Sequence, residues 1–240
     1  MSVEVPTSGS LIKFAAKKNN QINCSDRGQE LVELCDSHRK NDGSYDCIVP
    51  GSGGKDSFYV SHVLKHKYGM NPLTLTFSPH LYTDWGFKNF KSWIQTGFDN
   101  YLFTPNGKVH RHLTKRALIN ILHPFQPFIL GQKNFIPQMA YKFNIPLIFY
   151  GESPSDYGTK MGNEKQFSNK IEDSHPGYTL DPVSSVKTEN IKLGGDPISY
   201  HLDNGYSLSD MEPYLPLDLS LIHISEPTRR TPISYAVFCL

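Results

Sequence analysis

Ser52-Gly53-Gly54-Lys55-Asp56-Ser57 sets two glycines, two hydroxyls, a cation and a carboxylate in six consecutive positions, between an apolar run and a stretch of helical period. Such a turn can do phosphate chemistry. Gly53 and Gly54 allow a tight bend and a close backbone approach that a Cβ would obstruct, so main-chain N–H groups can face an anion. Ser52 and Ser57 add hydroxyl donors, Lys55 adds a positive charge, and the start of the following helix adds a fixed favourable potential. Asp56 would be repelled by phosphate oxygens unless a cation stood between them, which makes it the candidate Mg²⁺ ligand. Lys55 and Asp56 are therefore the catalytic candidates.

Spacing separates this turn from two other glycine-rich phosphate loops. A Walker loop needs glycine five positions before the Gly-Lys pair, where Val49 stands, and Ser or Thr after the lysine, where Asp56 stands. A dinucleotide loop needs a third glycine at position 56. The order strand, Ser-Gly-Gly-Lys-Asp-Ser, helix resembles instead the pyrophosphatase loop of ATP-dependent synthetases that release AMP and pyrophosphate.

The elements that must position this loop read as alternating strands and helices over 45–153, the pattern of an α/β fold with an open parallel sheet and helices on both faces. Strands are expected at 46–50, 73–77, 100–103 and 146–150. Helices are expected where Tyr59, Val60, Val63 and Leu64, then Phe87, Phe90, Trp93 and Ile94, then Leu113, Ala117, Leu118 and Ile121, and finally Phe135, Ile136, Met139, Ala140 and Phe143 recur at helical spacing. His123 to Pro127 reads as a loop, because each proline disfavours helix at the residue before it. Asp26 to Lys40 reads as a further helix, with Asp26 and Gln29 in capping-box spacing, and Ser209 to Glu212 repeats that spacing.

Ligands of an open parallel sheet lie beyond the carboxyl ends of its strands, which brings Thr76-Phe77-Ser78, a turn at Gly131-Gln132-Lys133-Asn134, and Gly151-Glu152 towards the loop. Thr76 and Phe77 are candidates to read adenine through their backbone, Gly131 and Gly151 to line the nucleotide, and Glu152 to share Mg²⁺ with Asp56. His62 and His66 have metal-ligand spacing on one helix face but no evident third ligand. The aromatics from Tyr82 to Trp93 read as core. Cys24, Cys35, Cys47 and Cys239 form no C-x-x-C pair, and Cys47 reads as a small buried residue.

Longer stretches extend the likeness. Asp42 to Pro50 running into the loop, Lys67 to Leu73, Phe103 to Asn106, Pro127 to Phe135, Lys142 to Glu152, Leu193-Gly194-Gly195 and Leu208 to Pro216 together resemble the N-acetyl sugar amidotransferases of bacterial surface-polysaccharide and nonulosonic acid pathways. The resemblance implies a fold of the adenine nucleotide alpha hydrolase, HUP-type Rossmann-like kind, with ATP and Mg²⁺ as cofactors. It also implies conversion of a sugar N-acetyl group to an acetamidino group: the amide oxygen is adenylated, pyrophosphate and then AMP leave, and ammonia is delivered by a glutaminase subunit through a channel-forming, cyclase-like partner.

The 240 residues allow one sizeable domain, and a net charge of +1 offers no field that would by itself recruit nucleic acid. No segment has the apolar length of a membrane span or the design of a secretory signal, so a cytoplasmic protein is expected. Four parts are expected: an N-terminal segment and helix (1–44), the nucleotide-binding core (45–160), an irregular and incomplete region (161–219), and a non-native tail (220–240) resembling translated adapter sequence. A truncated, inactive nucleotide-binding fragment and a tRNA-thiolating enzyme with the same loop are the competing expectations; the latter lacks its usual cysteine pairs.

Overall fold

A computed structural model describes residues 24–151, 192–215 and 234–237. Its strands are β1 (Cys47–Pro50), β2 (Pro72–Phe77), β3 (Asn100–Phe103), β4 (Leu147–Tyr150), the two-residue β5 (Lys192–Leu193) and β6 (Asp196–Pro197), and β7 (Ser234–Val237). Its helices are α1 (Cys24–His38), α2 (Lys55–His66), α3 (Asp84–Gln95), α4 (Gly107–Ile121), α5 (Gln126–Lys142), α6 (Ile198–Asp203) and α7 (Leu208–Met211), followed by a 3₁₀ turn at Glu212–Tyr214.

Cys47, Ile48 and Val49, like Leu147, Ile148 and Phe149, are buried on both sides of the sheet, which is why these strands read as unbroken apolar runs. Parallel pairing follows: Ile48 stands opposite Leu73 on β2 and Ile148 on β4, and the main sheet runs β3-β2-β1-β4-β7. The fold is thus an open, Rossmann-like α/β sheet. On one face Val49, Leu147 and Phe149 pack with Val60 and Leu64 of α2, Phe90 and Trp93 of α3, and Cys35 of α1. On the other, Ile48, Leu75, Phe77 and Ile148 pack with Val109 and Leu113 of α4 and Phe135, Ile136, Met139 and Ala140 of α5. The chain winds outward from β1 to β3 and then returns to β4 on the far side of β1. The order therefore reverses between β1 and β4, and the crevice beyond their carboxyl ends is where open sheets of this kind bind ligands.

Several boundaries depart from the sequence expectations. The helix expected to resume near Phe135 starts at Gln126 and runs unbroken through Pro137, with Pro127 in its first turn, where a missing N–H costs no intrahelical bond. The predicted turn at 131–134 is consequently mid-helix. The small helix near the end of the described region is capped by Ser207 and Asp210 rather than by Ser209 and Glu212. Helix α1 begins at Cys24, so Asp26 lies in its first turn. Trp85 and Phe87, read as core, are exposed, as are Tyr59, Leu118, Ile121 and Phe143 among the residues that marked the helical spacing. The main sheet has five strands where four were expected: Ser234–Val237, within the segment expected to lie outside the fold, pairs in parallel with β4.

Candidate phosphate-binding site

The six-residue loop leaves the sheet at its point of reversal. Gly51 N–H donates to the Leu75 carbonyl at 2.9 Å, carrying the β1–β2 ladder one residue beyond β1. A side chain at Gly51 would lie 2.3 Å from Ser57 Cβ and 3.0 Å from the Trp93 ring, so this glycine seats the loop against both α2 and α3. Sequence reasoning did not single it out; its signal is a glycine directly after the apolar strand. Gly53 turns the chain with φ 83°, and a Cβ there would stand 2.7 Å from the Asn89 carbonyl oxygen and the Phe90 nitrogen. Both conformation and space thus require glycine. Gly54 is extended and open, and it caps α2 with no side-chain bond.

The first helical bond of α2 runs from Phe58 N–H to the Gly54 carbonyl at 3.0 Å. Lys55, Asp56 and Ser57 precede it, so their amides have no intrahelical acceptor. Among the described residues the amides of Ser52, Gly53 and Gly54 donate no hydrogen bond either. Six consecutive N–H groups are therefore uncommitted at the positive end of a helix, the arrangement that suits an anion. The side chains are less uniform. Ser52 is exposed, whereas Ser57 is buried and donates through Oγ to the Gly54 carbonyl at 3.1 Å, bracing the turn. Lys55 Nζ meets Asp56 Oδ1 at 2.5 Å, with the lysine side chain 89% and the aspartate 48% exposed. An exposed pair of this kind is weak, so an arriving phosphate can take the ammonium without a large cost.

The remaining expected site residues divide. Gly151 joins the loop: a Cβ there would lie 2.8 Å from the Asp56 carbonyl carbon and 2.9 Å from the Ser57 nitrogen, so the end of β4 abuts the first turn of α2. Thr76 and Phe77 extend β2 two residues past its last partner on β1, the Pro50–Leu75 pair, at the edge facing the loop. Their side chains face elsewhere. Thr76 Oγ1 accepts from Asn100 Nδ2 at 3.1 Å, and the Phe77 ring packs among Phe103, Phe135 and Tyr214. Gly131 stands with that cluster, since a Cβ on it would fall 2.2 Å from Phe77 Cζ; it makes room for an aromatic ring in the core rather than lining the loop. Glu152 lies outside the described residues.

Asp56 offers one half-exposed carboxylate beside the loop. That fits Mg²⁺, which is commonly held by one or two carboxylates together with substrate phosphates and water. Among the described residues no group of three His, Cys, Asp or Glu side chains could hold a metal ion, and the His62 and His66 rings lie tilted by 44° with their centroids 4.4 Å apart. Cys35 and Cys47 are both buried; burial pushes the Cys35 thiol up to about 11 and raises that of Cys47. Neither is poised as a thiolate.

Beside the loop, Tyr82, Thr83, Asp84, Phe87 and Lys88 line an open hollow of about 420 Å³ at the start of α3. Among the described residues no helix is long and apolar enough to cross a membrane. No protein-family model matches the chain, and no curated protein matches it.

Proposed function

We propose that the chain binds ATP through Ser52–Ser57 and belongs to an enzyme that activates an amide oxygen by adenylation, releasing pyrophosphate and AMP: an amidotransferase acting on a sugar N-acetyl group. The observation that carries the reading is the run of six uncommitted amides, ahead of a helix and at the reversal of strand order, with Lys55 and Asp56 beside it.

The chemistry follows from charge. An amide carbonyl is a weak electrophile with a poor leaving group, so its oxygen attacks the α-phosphorus and pyrophosphate departs; ammonia then displaces AMP. Negative charge gathers on the departing phosphates, where preformed N–H donors stabilise it without reorganising. Lys55 exchanges Asp56 for a phosphate oxygen, and the helix dipole adds to the same potential. Mg²⁺ held by Asp56 would supply further charge neutralisation at the pyrophosphate. Thr76 and Phe77 offer backbone groups to the base, and Gly151 keeps the end of β4 from filling the crevice. Ammonia would come from a glutaminase through a channel-forming partner, and a cytoplasmic location suits an ATP-consuming step.

The two described thiols favour this reading over tRNA thiolation, because both are buried and held protonated. Incubation with ATP, Mg²⁺, ammonia and an N-acetyl sugar is expected to give AMP, pyrophosphate and an amidine. Release of ADP and phosphate instead would exclude it.

A further inference from the structure

Charge is spread unevenly along the chain. The net charge is +1, yet residues 100–151 contain six lysines and arginines and no aspartate or glutamate. Helix α4 holds Lys108, Arg111, Lys115 and Arg116 of these. Arg116 is engaged by Asp196 at 2.6 Å, whereas Lys108, Arg111 and Lys115 are exposed. The exposed three fall at i, i+3 and i+7, and the same row continues through Leu118, Ile119 and Leu122. One outward stripe of α4 therefore passes from cationic to aliphatic along the axis, while Val109, Leu113 and Ala117 are buried on the other side.

The aliphatic end is a protruding tip. Leu118, Ile119 and Leu122, with Phe125 in the turn to α5, are 51–84% exposed. Leu122 is the informative residue among them. It ends α4 in the left-handed conformation, with φ 53° and ψ 28°, where glycine is usual because a Cβ is crowded there. Its side chain is 84% exposed, so packing within the chain does not offset that strain. The turn displays apolar surface outward.

Two kinds of polyanion could meet the cations. A nucleic acid would find aliphatic chains, rather than rings to stack on, along the rest of the stripe. A bilayer with anionic headgroups matches both parts. The apolar side chains enter the acyl boundary, where amphipathic surfaces sink about 5–10 Å. Lys115 lies about 10 Å back from Leu122 along the helix axis, at headgroup level, with Arg111 and Lys108 behind it. The aromatic and basic surface of α3 is a poorer match, since Asp84 stands in its first turn and Lys88 and Lys91 already lie over Trp85 and Phe87. We infer that the tip between α4 and α5 is a peripheral docking surface for an anionic lipid bilayer. Such docking needs no spanning helix, and it stands apart from the proposed ATP site.

Sedimentation of the whole chain with vesicles tests this, using phosphatidylcholine alone and phosphatidylcholine mixed with phosphatidylglycerol. Co-sedimentation is expected with the mixed vesicles, little with the neutral ones, and less at high salt. Leu122→Gly relieves the left-handed turn, so it should resist urea at least as well as the wild type yet partition at least about tenfold less. Lys115→Ala should lower partitioning about fivefold, and Trp85→Ala on α3 should leave it unchanged. Absence of sedimentation, equal binding to neutral vesicles, loss of binding in Trp85→Ala, or destabilisation by Leu122→Gly would each overturn the inference. A wild-type dimer that Leu122→Gly converts to monomer would overturn it in favour of a second copy on the tip. Binding of single-stranded RNA that Lys115→Ala weakens and Leu122→Gly does not would overturn it in favour of nucleic acid.

Discussion

The two faces of the sheet handle their polar groups in opposite ways. Beyond α4 and α5, residues 192–215 are tied down at almost every opportunity. Arg116 donates to Asp196 at 2.6 and 3.0 Å, Asn120 to the Gly194 carbonyl at 2.9 Å, Gln138 to the carbonyls of Glu212 and Leu215 at 2.8 Å, and Asn134 to that of Tyr214 at 2.7 Å. At the start of α2, by contrast, six amides in a row are uncommitted and the nearest ion pair is exposed. Buried polar groups are normally paired because leaving them unpaired is costly, so satisfied networks report structure. The loop is mostly exposed, so its amides without a protein acceptor carry no such cost and stay available to an anion. Glycine shows the same division: Gly131 and Gly194 are small because protein fills the space, Gly54 because nothing does.

That comparison can be broken at points of graded severity. Gly53→Ala meets both a left-handed φ and a backbone contact at 2.7 Å, so it is expected to lower stability by about 2–4 kcal/mol in urea unfolding. A loss below about 1 kcal/mol would mean the loop is not rigidly seated on α3.

The second effect depends on pH. His110 is buried, its Nδ1 stands 2.8 Å from the Tyr214 hydroxyl, and burial together with the adjacent His80 lowers its pKa to about 4. A histidine depressed below its unfolded value of about 6.5 contributes stability that is complete above pH 6.5 and is lost as pH falls towards 4. The loss should reach roughly 3 kcal/mol, and His110→Phe should flatten that part of the unfolding profile. A profile unchanged by the substitution would assign the acid sensitivity elsewhere.

Asn134→Ala leaves the buried Tyr214 carbonyl without its donor and is expected to cost about 1–3 kcal/mol, with no change in nucleotide affinity. Gly54→Ala, in extended backbone with open space around it, should change stability by less than about 0.5 kcal/mol. If it nonetheless weakens ATP binding strongly, the open space at Gly54 is where the phosphate comes.

How much of this was legible in the sequence depended on how local the cause was. The loop and β1 could be read because Cys47 to Ser57 is one contiguous stretch whose glycines follow an apolar run. The strand bounds at 100–103 agree, and the others differ by a single residue. Gly131 misled because a glycine followed by polar residues reads as a turn; only the Phe77 ring, far away in sequence, reveals why a helix needs it. Ser207 was missed because Ser209 repeats the same capping spacing two residues later. The docking of 192–215 was invisible for a similar reason: His110 and Tyr214 meet across 104 residues, and no periodicity announces a partner at that distance. Trp85 and Phe87 were taken for core because Phe90 and Trp93 on the same helix are.

The central claim is that the uncommitted amides and Asp56 hold ATP. Calorimetric titration of the chain with ATP, with and without Mg²⁺, against Asp56→Ala tests it most directly. Saturable heat that requires Mg²⁺ and falls at least about tenfold in affinity in Asp56→Ala, with folding unchanged, is the expected result. Absence of heat from the folded wild-type chain, or equal binding by both proteins, would contradict it.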